Sequence, residues 1–132
     1  MFEVFLNVYS TERAIAFYVN EVGLFEVVAD FGGGEVSLKC TCTDNAYLSI
    51  RESTPSSFAD HPLFSIGVKN CDREVARLSS VEFKSGGSVY RDPSGRFAVV
   101  EFPLGKNIML TDPDGHRFLL MEWNQNVFAS ER

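Results

Sequence analysis

Few residues in this chain could carry chemistry, and they lie far apart. The two histidines are His61 and His116. His61 sits in a Ser- and Pro-containing stretch and His116 follows a tight turn, so both read as solvated. An iron site of two imidazoles and one carboxylate would need both on strands facing one cavity. Cys40 and Cys42 share one face of an extended stretch, Val36 to Cys42. No other Cys or His lies at a partner spacing, and structural zinc wants four ligands, so the pair reads as buried, inert thiols. No Gly-x-Ser-x-Gly elbow is present. Gly32-Gly33-Gly34 joins two strands with no Lys-Ser/Thr after it, which excludes a phosphate loop. Among the carboxylates, Glu3 and Glu101 are candidates for pairing with a cation. Glu122 has the opposite parity from Met121 and reads as a hairpin or interface residue.

The bulk numbers narrow the class. With 132 residues and 45% hydrophobic content, the chain is long enough for one domain with a core. A net charge of −6 and the lack of a basic cluster exclude nucleic acid as the expected partner. No apolar run is long enough for a membrane span. Three cysteines without regular spacing are no disulfide framework. The expected location is cytoplasmic.

The elements that must position these residues follow from periodicity. Glu3 to Tyr9 alternates, with Val4, Leu6 and Val8 toward a helix and Glu3, Phe5 and Asn7 on the other face. Ser10 is an N-cap, with Glu12 in the first turn. Ala14, Phe17, Tyr18 and Val22 recur at helical spacing, and Gly23 ends the helix. Strands are expected at Leu24–Phe31, Val36–Cys42 and Tyr47–Arg51. A linker, Glu52–Pro62, contains Phe58. A strand at Leu63–Val68 and a helix from about Asp72 to Ser80 follow, with Val75 and Leu78 inward. Strands at Ser88–Arg91 and Arg96–Phe102 come next. The final hairpin has Asn107–Thr111 and Phe118–Trp123 around the turn Asp112-Pro113-Asp114-Gly115. Phe5-Leu6-Asn7-Val8, Ser10 and Arg13-Ala14 are echoed sixty residues later by Phe64 to Val68, Asn70 and Arg73-Glu74. The chain therefore reads as two related modules, each a strand, a helix and three strands.

These motifs, with Arg13-Ala14-Ile15-Ala16-Phe17-Tyr18, Gly23-Leu24 and Gly86-Gly87, resemble the vicinal-oxygen-chelate superfamily from Phe2 to Trp123. That group includes glyoxalase I, bleomycin-resistance proteins and extradiol dioxygenases. The resemblance implies an α+β fold of two βαβββ modules whose curled mixed sheets form a cup. It implies one domain over 1–132, with module one at 1–51, a linker at 52–62, module two at 63–124 and a tail at 125–132. Enzymes of the group bind a divalent metal from the first and last strand of each module, positions that fall here on Glu3, Ser49, Leu63 and Leu119. Two leucines and a serine cannot supply the donors such an ion needs, so neither a metal nor another cofactor is expected.

By parity, the ligand-facing set is Glu3, Phe5, Asn7, Tyr47, Ser49, Arg51, Leu63, Ser65, Leu119, Met121 and Trp123, with Glu101 if its strand turns it inward. An apolar, aromatic lining with a few polar groups suits a small molecule. The resemblance to bleomycin-resistance proteins, with the acidic balance, implies a metal-independent homodimer that sequesters a cationic or aromatic ligand such as an antibiotic. The alternatives are a metalloenzyme of glyoxalase or dioxygenase type with a non-standard site centred on Glu3, or a non-catalytic scaffold subunit. No catalytic residue is expected under the first reading.

Overall fold

A computed structural model describes residues 1–55 and 61–124. Phe58 and the tail at 125–132 lie outside the described residues. The first module runs β1 (Phe2–Val8), α1 (Thr11–Ile15), a π-helical segment (Ala16–Glu21), β2 (Phe25–Gly32), β3 (Glu35–Cys40) and β4 (Ala46–Glu52). The second runs β5 (Phe64–Gly67), α2 (Cys71–Leu78), β6 (Ser88–Val89), β7 (Val100–Phe102), β8 (Gly105–Thr111) and β9 (Arg117–Trp123). The sheet orders are β1-β4-β3-β2 and β5-β9-β8-β6, with β7 also pairing β8. In each, the first strand runs parallel to the last and the other pairs are antiparallel. This is the expected α+β arrangement of mixed sheets.

The expected cup is not there. The sheets are neither curled nor closed, and no strand of one pairs with a strand of the other among the described residues. Alternation predicts which face a side chain takes. Closure requires edges that pair at a fixed stagger. Here both sheets end in open edges, and the register breaks lie in the outermost strand, β2, between Val27 and Ala29 and between Asp30 and Gly32.

The sixty-residue echo has a structural cause. Ser10 Oγ accepts from Arg13 N at 3.2 Å and Asn70 Oδ1 from Arg73 N at 2.9 Å, so both helices start on the same side-chain cap. A second correspondence is invisible in the periodicity. Glu52 Oε1 accepts from Thr11 N at 3.2 Å, and Glu122 Oε1 from Cys71 N at 2.7 Å. Each carboxylate comes from the strand parallel to its module's first strand. Each meets an orphan N–H at a helix start, where the dipole favours negative charge. Glu122 is thus a hairpin residue with a helix-anchoring task.

The first helix widens into a π-helical turn, with Val22 N donating to Phe17 O at 2.8 Å. Phe17, Tyr18 and Glu21 are thereby all buried, and Gly23 takes φ +72° to end the segment. Phe17 lies against Tyr18, Phe83 and Phe118, with ring centroids 4.9, 6.2 and 6.2 Å away. Gly87 is explained by the same ring, since a Cβ there would run into Phe17 carbons, and Gly86 by its φ of +99°. Glu21 fixes that loop by accepting from Ser85 N at 3.0 Å and from Ser85 Oγ. One face of the first module's helix therefore packs into the second module.

Candidate functional site

The closing turn is held from inside. Asp112 is buried, and its Oδ1 accepts from Asp114 N and His116 N, each at 2.9 Å. Its Oδ2 accepts from Tyr18 Oη at 2.8 Å and lies 2.6 Å from His116 Nδ1. The expectation that His116 is solvated is overturned, since it is 2% exposed. Parity carried the signal: His116, Phe118 and Leu120 alternate onto the buried face of the last strand and the turn before it. His61 is exposed. Arg13 Nη2 reaches Asp114 Oδ1 at 3.4 Å, a second tie between the first helix and this turn.

Buried acids set the alkaline limit. Burial first, then the Asp112 charge, holds the Tyr18 phenol well above its ordinary 10.0. Burial, then the Glu122 charge, pushes the Cys71 thiol from 9.0 up to about 11. Both folded values are raised, so the stability tied to the protonated forms is full below the unfolded values. It is lost as pH rises through the folded ones. The melting temperature, read by circular dichroism, should lose this contribution once pH passes about 9, and Tyr18→Phe should shrink the loss.

The residues expected to face a ligand fall into groups. On the first sheet, Glu3, Phe5 and Asn7 of β1 stand opposite Tyr47, Ser49 and Arg51 of β4 in register. Ser49 Oγ donates to Glu3 Oε2 at 2.6 Å. Phe5 and Phe31, 74% and 70% exposed, flank a hollow of about 270 Å³ that Asn7, Ser49, Glu35 and Arg51 also line. Arg51 Nε lies 3.9 Å from Glu35 Oε1, both exposed, a pair worth little to stability.

On the second sheet, Ser65 pairs in register with Leu119, and Met121 with Gly67. Leu63 precedes β5 and its N–H donates to Arg117 O at 2.8 Å. Trp123 is 38% exposed with Phe102 at its edge, centroids 6.4 Å apart. Glu101 stands apart from these residues. It is in register with Lys106, whose Nζ lies 3.7 Å from Glu101 Oε1 and 3.1 Å from Asp72 Oδ2, which turns Glu101 toward the α2 side.

Tyr47 and Ser65, one from each module, both line a cavity of about 220 Å³. Phe2, Phe25, Phe64 and Leu48 are among its apolar lining, and Cys40 and Thr43 line it too. Phe2, Phe25 and Phe64 are lining residues outside the set that parity gives; Phe64, with Ile66 and Val68, alternates onto the helix-facing side of its strand. The metal positions taken from the resemblance hold Glu3, Ser49, Leu63 and Leu119. Among the described residues, no three His, Cys, Asp or Glu side chains converge on a point where an ion could sit.

Cys40 and Cys42 also differ from expectation. β3 ends at Cys40, so the two do not share a strand face: Cys40 is buried and Cys42 exposed. Their Sγ atoms are 3.3 Å apart.

No protein-family model and no curated protein matches the chain. Solved structures do match it. TnmS3, an antibiotic binding protein from Streptomyces sp. CB03234, is 25% identical with a TM-score of 0.64, over 92% of this chain and 93% of that one. A member of the glyoxalase/bleomycin resistance protein/dioxygenase superfamily from Sphaerobacter thermophilus DSM 20745 is 19% identical, TM-score 0.66, covering 92% and 95%. The oxidase ChaP-H2 is 16% identical, TM-score 0.63, covering 96% and 94%. The chain therefore shares the fold of these structures. That fold hosts both binding proteins and enzymes, so function must be argued from the site.

Proposed function

We propose that this protein binds a small aromatic, cationic molecule without a metal ion, with the ring in the cavity between the modules. The observation that carries the reading is a cavity lined by polar Tyr47 and Ser65, one from each module, among apolar Phe2, Phe25, Phe64 and Leu48. A dry cavity of about 150 Å³ is enough to take up benzene, and this one measures about 220 Å³. Tyr47, Ser65 and Thr43 offer polar handles that fix orientation, as in most small-molecule sites. Glu3, the register partner of Tyr47, supplies a negative charge on the neighbouring strand. TnmS3 is an antibiotic binding protein, and the likeness to it favours an antibiotic as the ligand class. The lack of a converging donor set among the described residues supports metal-independence.

The test is a thermal-shift screen with aromatic quaternary amines such as N-methylquinolinium. A compound that binds only the folded state at a hundredfold excess over its Kd stabilises by about 2.7 kcal/mol. Glu3→Gln should weaken binding by no more than about fivefold, because exposed charge pairs contribute at most about 1 kcal/mol. Failure of every such compound to raise the melting temperature would overturn the reading.

A further inference from the structure

We infer that Cys40, in the wall of the inter-module cavity, and Cys42 beside it form a peroxide-oxidised dithiol, closing to a disulfide within one chain. This goes beyond ligand binding and does not depend on it. The Sγ atoms lie 3.3 Å apart, and a disulfide needs about 2.05 Å, so a small movement makes the bond. Thr41 N donates to Leu24 O at 2.9 Å, which extends the pairing of β2 with β3 one residue past Cys40. The chain bends over residues 41–43, and this bend accompanies the close approach of the two thiols.

Access is divided between the two thiols. Cys40 is 2% exposed and is part of the cavity wall, so the cavity is the route by which hydrogen peroxide would reach it. Cys42 is exposed to solvent. The third thiol, Cys71, is buried, with its Sγ 3.5 Å from Lys106 O and 3.7 Å from Leu120 O. With Cys42 donating its S–H to Cys40, the Cys40 thiol is held down at about 6 and that of Cys42 is raised. Cys40 is then the thiolate at neutral pH, and thiolates are the reactive form.

The step balances. The Cys40 thiolate attacks one oxygen of hydrogen peroxide, the O–O bond breaks, and the departing hydroxide takes a proton to become water. Cys40 is left as a sulfenic acid. The Cys42 sulfur, giving up its proton, attacks the Cys40 sulfur. The S–S bond forms, the S–O bond breaks, and a second water leaves. Two thiols lose two electrons, and peroxide is reduced to two waters.

The test is intact-mass analysis and thiol counting on the denatured chain after treatment with hydrogen peroxide, with no ligand present. Wild-type protein should become lighter by about 2 Da, stay a single chain, and return to its starting mass with dithiothreitol. Cys42→Ser should stop one step earlier, heavier by about 16 Da and reactive with dimedone at Cys40. Cys40→Ser should react at least about tenfold more slowly, having lost the thiolate. An unchanged wild-type mass, a bond to Cys71, a disulfide between chains, or a Cys42→Ser chain that gains no oxygen would each overturn the proposal. Because the readout is a covalent mass, failure here leaves the ligand reading standing, and failure of the ligand screen leaves this one standing.

Discussion

Asp112→Ala should be among the most destabilising single substitutions in the chain, costing at least about 3 kcal/mol. Its carboxylate accepts two backbone N–H groups of the turn and the Tyr18 hydroxyl, and it meets the His116 ring. Alanine leaves these groups buried without that partner. Each unsatisfied buried polar group costs about 1–3 kcal/mol, whereas each bond made contributes only about 1 kcal/mol net. The tie runs from the first module's helix to the second module's hairpin, so its loss loosens both. Asp112→Asn keeps one oxygen for the two backbone donors and should cost distinctly less. Urea unfolding of the two variants checks the order. Equal losses would show that the charge and the second oxygen carry the effect and that the oxygen facing the two backbone donors contributes little.

Phe17→Ala should cost about 3–5 kcal/mol, the usual range for removing a fully buried aromatic ring. Phe17 is completely buried between Tyr18, Phe83 and Phe118, and Gly87 rests on its face. Nothing near it can collapse cheaply, because the Gly86-Gly87 loop is held by Glu21 and Ser85. The converse substitution, Gly87→Ala, pushes a methyl group into that ring and should destabilise by about 1–3 kcal/mol. Thermal unfolding of both variants tests whether the contact is as close as it stands. A Gly87→Ala protein as stable as wild type would mean that it is not.

Most of the architecture was legible in the chain because it rests on local patterns. Ser10 and Asn70 as caps, Gly23 as a stop, the Asp112-Pro113-Asp114-Gly115 turn and the alternation of β1 all act within a few residues. The missed features are contacts made at a distance. Glu52 and Glu122 reach helix starts from a neighbouring strand, and Asp112 finds Tyr18 across 94 positions. His116 was misjudged because its place after a turn outweighed its parity with Phe118 and Leu120. The expected cup failed for a related reason: alternation sets the faces of a sheet, while curvature depends on how its edges meet. At the candidate site, parity groups Glu3, Phe5 and Asn7 with Tyr47, Ser49 and Arg51, residues that stand opposite one another in register. It could not show that Tyr47 and Ser65 line one cavity, because that depends on how one sheet sits against the other.

The reading as a metal-independent binding protein is tested most directly by titration calorimetry with N-methylquinolinium on EDTA-dialysed protein, beside an Ala46→Phe variant. Ala46 lines the inter-module cavity, and a phenyl ring there would fill it. The account predicts saturable binding to the dialysed wild type and none to the folded variant. Binding that returns only when a divalent ion is added back, or that survives the filled cavity unchanged, would contradict it.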